Sequence, residues 1–170
     1  MKNSGHTLVA QFEDNAGFIE VGGEQYKLLQ FHFHTASEHR VQGETYPMEI
    51  HLVHQNKQGK LLVVGVLVRQ GQPHLALVEL FKQLPEQVGD EGPSLSFNVR
   101  DLLPQKQGYF HYQGSLTTPP CTQDVQWYVM TEPVMADQLQ IAKLLQSIGG
   151  KPNNRPVQPL NGRTVWRRLP

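Results

Sequence analysis

Apolar positions concentrate in four short stretches of the chain, Tyr26–His34, Met48–His54, Leu61–Arg69 and Val125–Thr131, set between polar segments. Each is rich in β-branched, aromatic and aliphatic residues and is bounded by Gly, Pro, Asn or Gln. That pattern predicts strands. The turn-like NKQGK between the second and third stretches predicts a hairpin joining them. Two helices are expected. One lies in PHLALVELFKQLP, between Pro73 and Pro85. The other lies in ADQLQIAKLLQSIGG, with Asp137 as start signal, Leu139, Ala142, Leu145 and Ile148 at helical spacing, and Gly149 as stop. The remainder, notably 92–124 and 151–170, reads as ordered loop. The expected class is mostly β, a central, largely antiparallel twisted sheet with a few peripheral helices. With no internal repeat, and with Pro/Gly-rich stretches at 89–93 and 149–159 too short to be linkers, residues 1–170 are expected to form a single domain.

Three histidines and a carboxylate interrupt the first strand and its exit, in QFHFHTASEHR. Side chains alternate faces along a strand, so Gln30, His32 and His34 share one face and Phe31 and Phe33 the other, with the two imidazoles about 6.5–7 Å apart. In MEIHLVH the same rule groups Glu49, His51 and Val53, and a neighbouring antiparallel strand can bring His51 against the pair. Three imidazoles on one face, with a fourth tetrahedral position open, form the donor set of a catalytic zinc site. Gln30 and Glu49 each precede a candidate ligand by two residues on the same face, where they can fix imidazole tautomers. An isolated strand histidine is ordinarily a satisfied core residue; the convergence of several is what indicates a metal. His39 and His54 fall outside the set, His54 with a core role, and His74 and His111 read as loop histidines.

Composition narrows the partners. Among 170 residues there are 15 basic and 15 acidic side chains, and 38% of residues are hydrophobic, so neither nucleic acid nor an anionic membrane is an expected partner. No apolar run approaches a membrane span, and Met1 is followed by polar residues rather than an apolar signal core. Cys121 is the only cysteine, which excludes an internal disulfide.

A second string, YQGSLTTPPCTQDVQW at 112–127, together with QFHFHTASEH, MEIHLVH and the downstream NNRPVQPLNGR, resembles the α-class carbonic anhydrases, bacterial ones in particular. The resemblance runs from about residue 2 to the C-terminus in the family's order. It implies reversible hydration of carbon dioxide to bicarbonate and a proton by hydroxide on zinc (Zn2+). His32, His34 and His51 match the zinc ligands, and Gln30, Glu49 and the backbone of Asn153 match the groups behind them. Thr117 matches the threonine that orients the hydroxide by passing its own hydrogen to a carboxylate, here Glu38; Thr118 matches its neighbour at the pocket wall. Val53, Val63, Leu116, Val125 and Trp127 match the apolar wall that receives carbon dioxide, and His6, in NSGHT, matches the proton-shuttle histidine. Sulfonamides and small anions are the inhibitors the resemblance implies, and its bacterial members are typically periplasmic or secreted.

Departures from the family pattern set further expectations. The family's aromatic-rich upstream segment and its QSPI-like strand are not in this chain, so an N-terminally truncated domain is expected, together with a homodimer or higher oligomer covering the uncovered edge. Cys121 is then free or pairs between chains, and Gln123 stands where many members carry glutamate. Two rival readings remain. HFHTASE also fits the HxHxxxE string of a cupin-like metal enzyme, with Glu38 as fourth ligand, although Tyr26 replaces the cupin glycine and MEIHLVH arrives too soon. The other is an inactive anhydrase-like binding protein.

Overall fold

A computed structural model describes residues 1–12, 16–85, 87–92 and 98–170. Its strands are β1 (Lys2–Asn3), β2 (Leu8–Gln11), β3 (Phe18–Val21), β4 (Glu24–His34), β5 (Arg40–Val41), β6 (Glu44–Thr45), β7 (Met48–Gln55), β8 (Leu61–Gln70), β9 (Tyr109–Ser115), β10 (Gln123–Met130), β11 (Val134–Ala136) and β12 (Trp166–Arg168), with helices α1 (Leu75–Phe81) and α2 (Gln138–Ser147). The main sheet runs β1-β2-β4-β7-β8-β10-β9-β12, with β3 on the free end of β4 and β11 on the free end of β8. Most pairings are antiparallel, but β10 and β11 both run parallel to β8, so the sheet is mixed.

The long central strands carry the site. β7 is buried at every position but its last, β8 at all but its ends, Leu61 and Gln70 with Arg69, and Val64. The predicted hairpin is present: Asn56 accepts the Gln58 and Lys60 amides on its side chain and closes the turn. On one face of the sheet, Phe31, Phe33, Ile50, Leu52, Val66 and Val68 form the main core with Leu77, Leu80 and Phe81 of α1 and Leu144 and Ile148 nearby. On the other, Val53, Val63, Leu67, Val125, Trp127 and Val129 form a second cluster. Both helices pack on the first face only, which leaves the second for the histidines.

Simple alternation does not run unbroken through β4. A β-bulge between Leu28 and Gln30 changes the parity, so that Leu28 and Phe31, an odd number of residues apart, both enter the main core while Leu29 turns outward, 37% exposed. The histidines keep their shared face because they lie beyond the bulge.

Several elements fall where loop was expected. Tyr109–Ser115 is a full strand paired along β10, Trp166–Arg168 pairs with it as the outer strand, and Val99–Leu102 is a 3-10 turn, while 93–97 of that stretch lie outside the described residues. His111 therefore sits on a strand, stacked on Tyr128 at 4.4 Å with its Nδ1 3.0 Å from the Trp127 carbonyl. The short strands β1, β2, β3 and β11 were not expected either. α2 starts where predicted, but its buried positions are Gln140 and Leu144, followed by Ile148, whereas Leu139 is 78% exposed. Gln140 explains the rotation. Its side chain bonds both the N–H and the carbonyl of His74 and also the Asp137 amide, which turns that side of the helix toward α1.

The Asp137 carboxylate accepts the Gln140 amide at 2.8 Å, and the two residues form a reciprocal capping box. Asp137→Ala is expected to lower folding stability by about 1 kcal/mol, read as a lower urea midpoint with unchanged m value.

Candidate metal centre

His32 on β4 lies directly opposite His51 on β7 in the antiparallel register, and His34 is two residues further along the same face. The three rings converge, with centroid separations of 5.0 Å for His32 and His34, 5.2 Å for His32 and His51, and 4.5 Å for His34 and His51. The first of these is shorter than the strand repeat predicts, because the rings lean together. One nitrogen from each lies within 4.8 Å of the others.

Hydrogen bonds assign the nitrogens. Gln30 Oε1 lies 2.8 Å from His32 Nδ1, and because an amide oxygen only accepts, the ring proton is on Nδ1 and the Nε2 lone pair is free. Glu49 Oε1 lies 2.8 Å from His51 Nε2, which by the same logic frees Nδ1. Both nitrogens of His34 are buried without a well-formed hydrogen bond, although the Asn153 backbone lies near enough to favour the protonated ring. Orphaned imidazole nitrogens in the interior are costly unless something binds them. A neutral, nitrogen-only donor set with controlled tautomers fits zinc, which takes histidine nitrogens at about 2.0–2.1 Å.

Glu38 stands beside this triad, its Oε1 3.4 Å from His34 Nδ1 and its Oε2 3.9 Å from His51 Nδ1. It is not grouped with the ligand atoms, contrary to the cupin-like reading; its Oε1 instead accepts the Arg155 amide at 2.7 Å. Oε2 has no formal hydrogen bond, and the neighbouring Thr117 hydroxyl is a group that favours its charged form. Burial raises the Glu38 pKa, against the Arg155 N–H and Thr117. Asn153 ties the exit of β4 in place. Its Oδ1 accepts the Thr35 amide, its Nδ2 donates to the Phe33 and His6 carbonyls, and its own N–H donates to the Thr35 carbonyl. His6 is thereby held by its backbone next to this corner, with its side chain exposed.

Val53, Val63, Val125 and Trp127 are buried together, with Leu116 partly buried against them, on the face that bears the histidines. The His51 ring packs on Trp127 at 4.8 Å, so the apolar cluster adjoins the triad. Thr118 is exposed, its carbonyl accepting the Cys121 amide in a tight turn. Cys121 is a free thiol.

His39 was left out by the sequence reading, and the structure places it behind the triad. Its Nδ1 lies 2.6 Å from Glu49 Oε1 and its Nε2 2.6 Å from the Tyr112 hydroxyl. The Glu38 and His39 amides donate to Glu49 Oε2 at 2.8 and 2.9 Å. The available signal was a third histidine one residue after Glu38, but its partner Tyr112 lay in a stretch read as loop. Gly65 was equally silent. A Cβ built there would stand 3.0 Å from Glu49 Oε1, so glycine is what leaves room for the carboxylate.

A sequence profile of the eukaryotic-type carbonic anhydrase family matches residues 1–169. A carbonic anhydrase of Neisseria gonorrhoeae is 39% identical over 165 residues, covering 97% of this chain and 65% of that protein. One from Klebsiella pneumoniae is 41% identical, covering 96% and 67%. This chain thus spans about two thirds of the length of such relatives. Among solved structures, the α-carbonic anhydrase of Thermovibrio ammonificans in complex with the inhibitor sulfanilamide superposes with a TM-score of 0.92 at 41% identity, covering 96% of this chain and 72% of that one.

Burial, with the neighbouring His34, lowers the His32 pKa from 6.5 to about 3; burial, with His51, does the same for His34; burial brings His51 to about 4 although Glu49 pulls upward. Below pH 6.5 the unfolded chain therefore takes up protons that the folded chain refuses, so this stabilisation is complete above pH 6.5 and is lost as pH falls toward the folded values. His39 acts oppositely. Burial alone would lower it, but Glu49 outweighs burial and raises it, so its contribution is present at low pH and is lost as pH rises through its folded pKa. The Glu49 pKa is well below 4.5 and its contribution is lost only on acidification below that value. The three depressed histidines dominate the window between, and the urea midpoint of metal-free protein is expected to be lower at about pH 5 than at about pH 7.5; an equal midpoint would contradict a neutral, buried triad.

Proposed function

This chain belongs to the eukaryotic-type (α) carbonic anhydrase family, and from that premise we propose that it catalyses the reversible hydration of carbon dioxide to bicarbonate and a proton, with zinc held by His32, His34 and His51. The observation that carries the reading is the convergence of the three rings with Gln30 and Glu49 holding protons on the nitrogens turned away. When bound, zinc would lower the pKa of a coordinated water to about 7, the magnitude characteristic of carbonic anhydrases.

The chain's own residues do the rest. Neutral imidazoles leave the positive charge of the ion undiminished, and their depressed pKa values keep them neutral at working pH. Glu38, when ionised, can only accept, so the Thr117 hydrogen is committed to it and the Thr117 oxygen is left to accept a hydrogen from the nucleophile. In this reading Thr117 and Glu38 would orient the nucleophile toward the apolar wall of Val53, Val63, Leu116, Val125 and Trp127. An uncharged substrate gains from such a wall and a charged product does not, which favours release of bicarbonate. His6, whose side chain is exposed at the edge of this corner, carries the released proton to buffer in this reading. Thr118 belongs to the rim in this reading.

Sulfonamides and small anions are expected to inhibit by taking the open position. The structural relative bound to sulfanilamide supports this. A homodimer belongs to the same reading, because the outer strand β12 presents Trp166, 67% exposed, with Leu169 just beyond it, 65% exposed, along a sheet edge of a kind that proteins ordinarily cover.

Stopped-flow hydration of carbon dioxide with a pH indicator, on metal-quantified protein, tests the proposal. Zinc near one per chain with sulfonamide-sensitive hydration is expected, lost in His51→Ala and reduced roughly 100-fold in Thr117→Val. Full zinc without hydration would overturn it. Light scattering under non-reducing conditions is expected to give a dimer, and a monomer would remove that part of the reading.

A further inference from the structure

Behind the three metal-facing histidines a second row of polar groups runs along the same face of the sheet, beside Trp127. Glu49 is fully buried, and its Oε1 is shared between His51 Nε2 at 2.8 Å and His39 Nδ1 at 2.6 Å. An ionised carboxylate carries no proton, so both imidazoles must donate to it. The other nitrogen of His39 meets the Tyr112 hydroxyl at 2.6 Å. A hydroxyl both donates and accepts, so it can satisfy Nε2 whether His39 is neutral or charged. In either state Nε2 is occupied and Nδ1 is turned to Glu49.

We propose that Tyr112 is a positioning residue for the metal, acting through His39 and Glu49 to hold His51 in its binding tautomer and orientation, and so slowing release of the ion. The inference rests on the zinc reading above. It concerns a residue three hydrogen bonds removed from the ion and not one that touches it.

Geometry favours this over a merely structural role. Tyr112 and His39 both line an open cleft with Thr117, Arg155 and Arg163, and 17% of the His39 side chain is exposed. Without the hydroxyl, Nε2 faces that cleft and water, and the ring is free to turn its donor away from Glu49. Glu49 would then keep its two backbone donors on Oε2 but lose one of the two groups that hold Oε1 against His51. The ring of Tyr112 has separate anchors, lying parallel to Trp127 at 6.2 Å and under the Arg163 guanidinium at 5.5 Å. Replacing tyrosine by phenylalanine therefore deletes the hydrogen bond and leaves the packing.

The test is the rate at which zinc-loaded protein surrenders its metal to a chromophoric chelator, together with the visible spectrum of the cobalt(II)-substituted protein. Changing a group that bonds a ligand directly costs roughly 10–100-fold in metal affinity, and a group two steps further out is expected to cost less, roughly three- to tenfold. Tyr112→Phe should release zinc faster by that factor and shift the cobalt spectrum, while Asp137→Ala, which weakens the fold at α2, should do neither. On a Glu49→Gln background, Tyr112→Phe should add little further acceleration, because the two act in series. Wild-type rate and spectrum in Tyr112→Phe would overturn the proposal, as would equal acceleration by Asp137→Ala or full additivity with Glu49→Gln. Failure of the wild-type chain to bind zinc would overturn the zinc reading first, an outcome distinct from all of these.

Discussion

A carboxylate with no solvent contact must be matched by donors or it destabilises the fold by several kcal/mol. Glu49 is matched at four places: two imidazoles on one oxygen and two backbone amides on the other. Those four bonds join segments that are otherwise separate. They fix the metal-facing nitrogen of His51, set the loop that carries Glu38, and bring His39 and, through it, Tyr112 of β9 to the centre of the sheet. Depression of the Glu49 pKa, despite full burial, is the electrostatic signature of that matching.

The two faces of the sheet divide the labour. Phe31, Phe33, Ile50, Leu52, Val66 and Val68 bury the chain against the helices, while the same strands turn His32, His34, His51 and the valines of the second cluster to the other side. Because β4 and β7 are flanked by β2 and β8, the three histidines stand on interior strands, where the backbone is bonded on both sides. Ligand geometry is thus set by the ladder and not by loops, which suits an ion with a narrow tolerance in bond length.

Parity made the site legible. Two alternating strings and one antiparallel pairing placed His32, His34 and His51 on one face with Gln30 and Glu49, and the Asp137 signal located the start of α2. What stayed hidden depended on partners distant in sequence. Tyr109–Ser115 mixes aromatic, histidine and glutamine residues without a clean period, and is a strand because β10 and β12 flank it. The bulge at Leu29 showed only as a doubled leucine between Lys27 and Gln30, where the alternation changes parity. His39 followed a turn, and its importance comes from Tyr112, 73 positions away. On α2 the apolar stripe pointed to Leu139, yet the backbone of His74 needed Gln140 more than the core needed another leucine.

Gly65 shows that part of a site's chemistry can be written as a blank. Within VVGVLV the glycine looks like a lapse in a well-formed strand, weaker in propensity than any neighbour. It is the mould of Glu49's carboxylate, cast on the adjacent strand, and a methyl group there would press on the oxygen that two imidazoles share. Any effort to stabilise this chain by filling glycines with alanine would therefore strike the metal centre through a position that has no side chain of its own, while the histidines stood untouched.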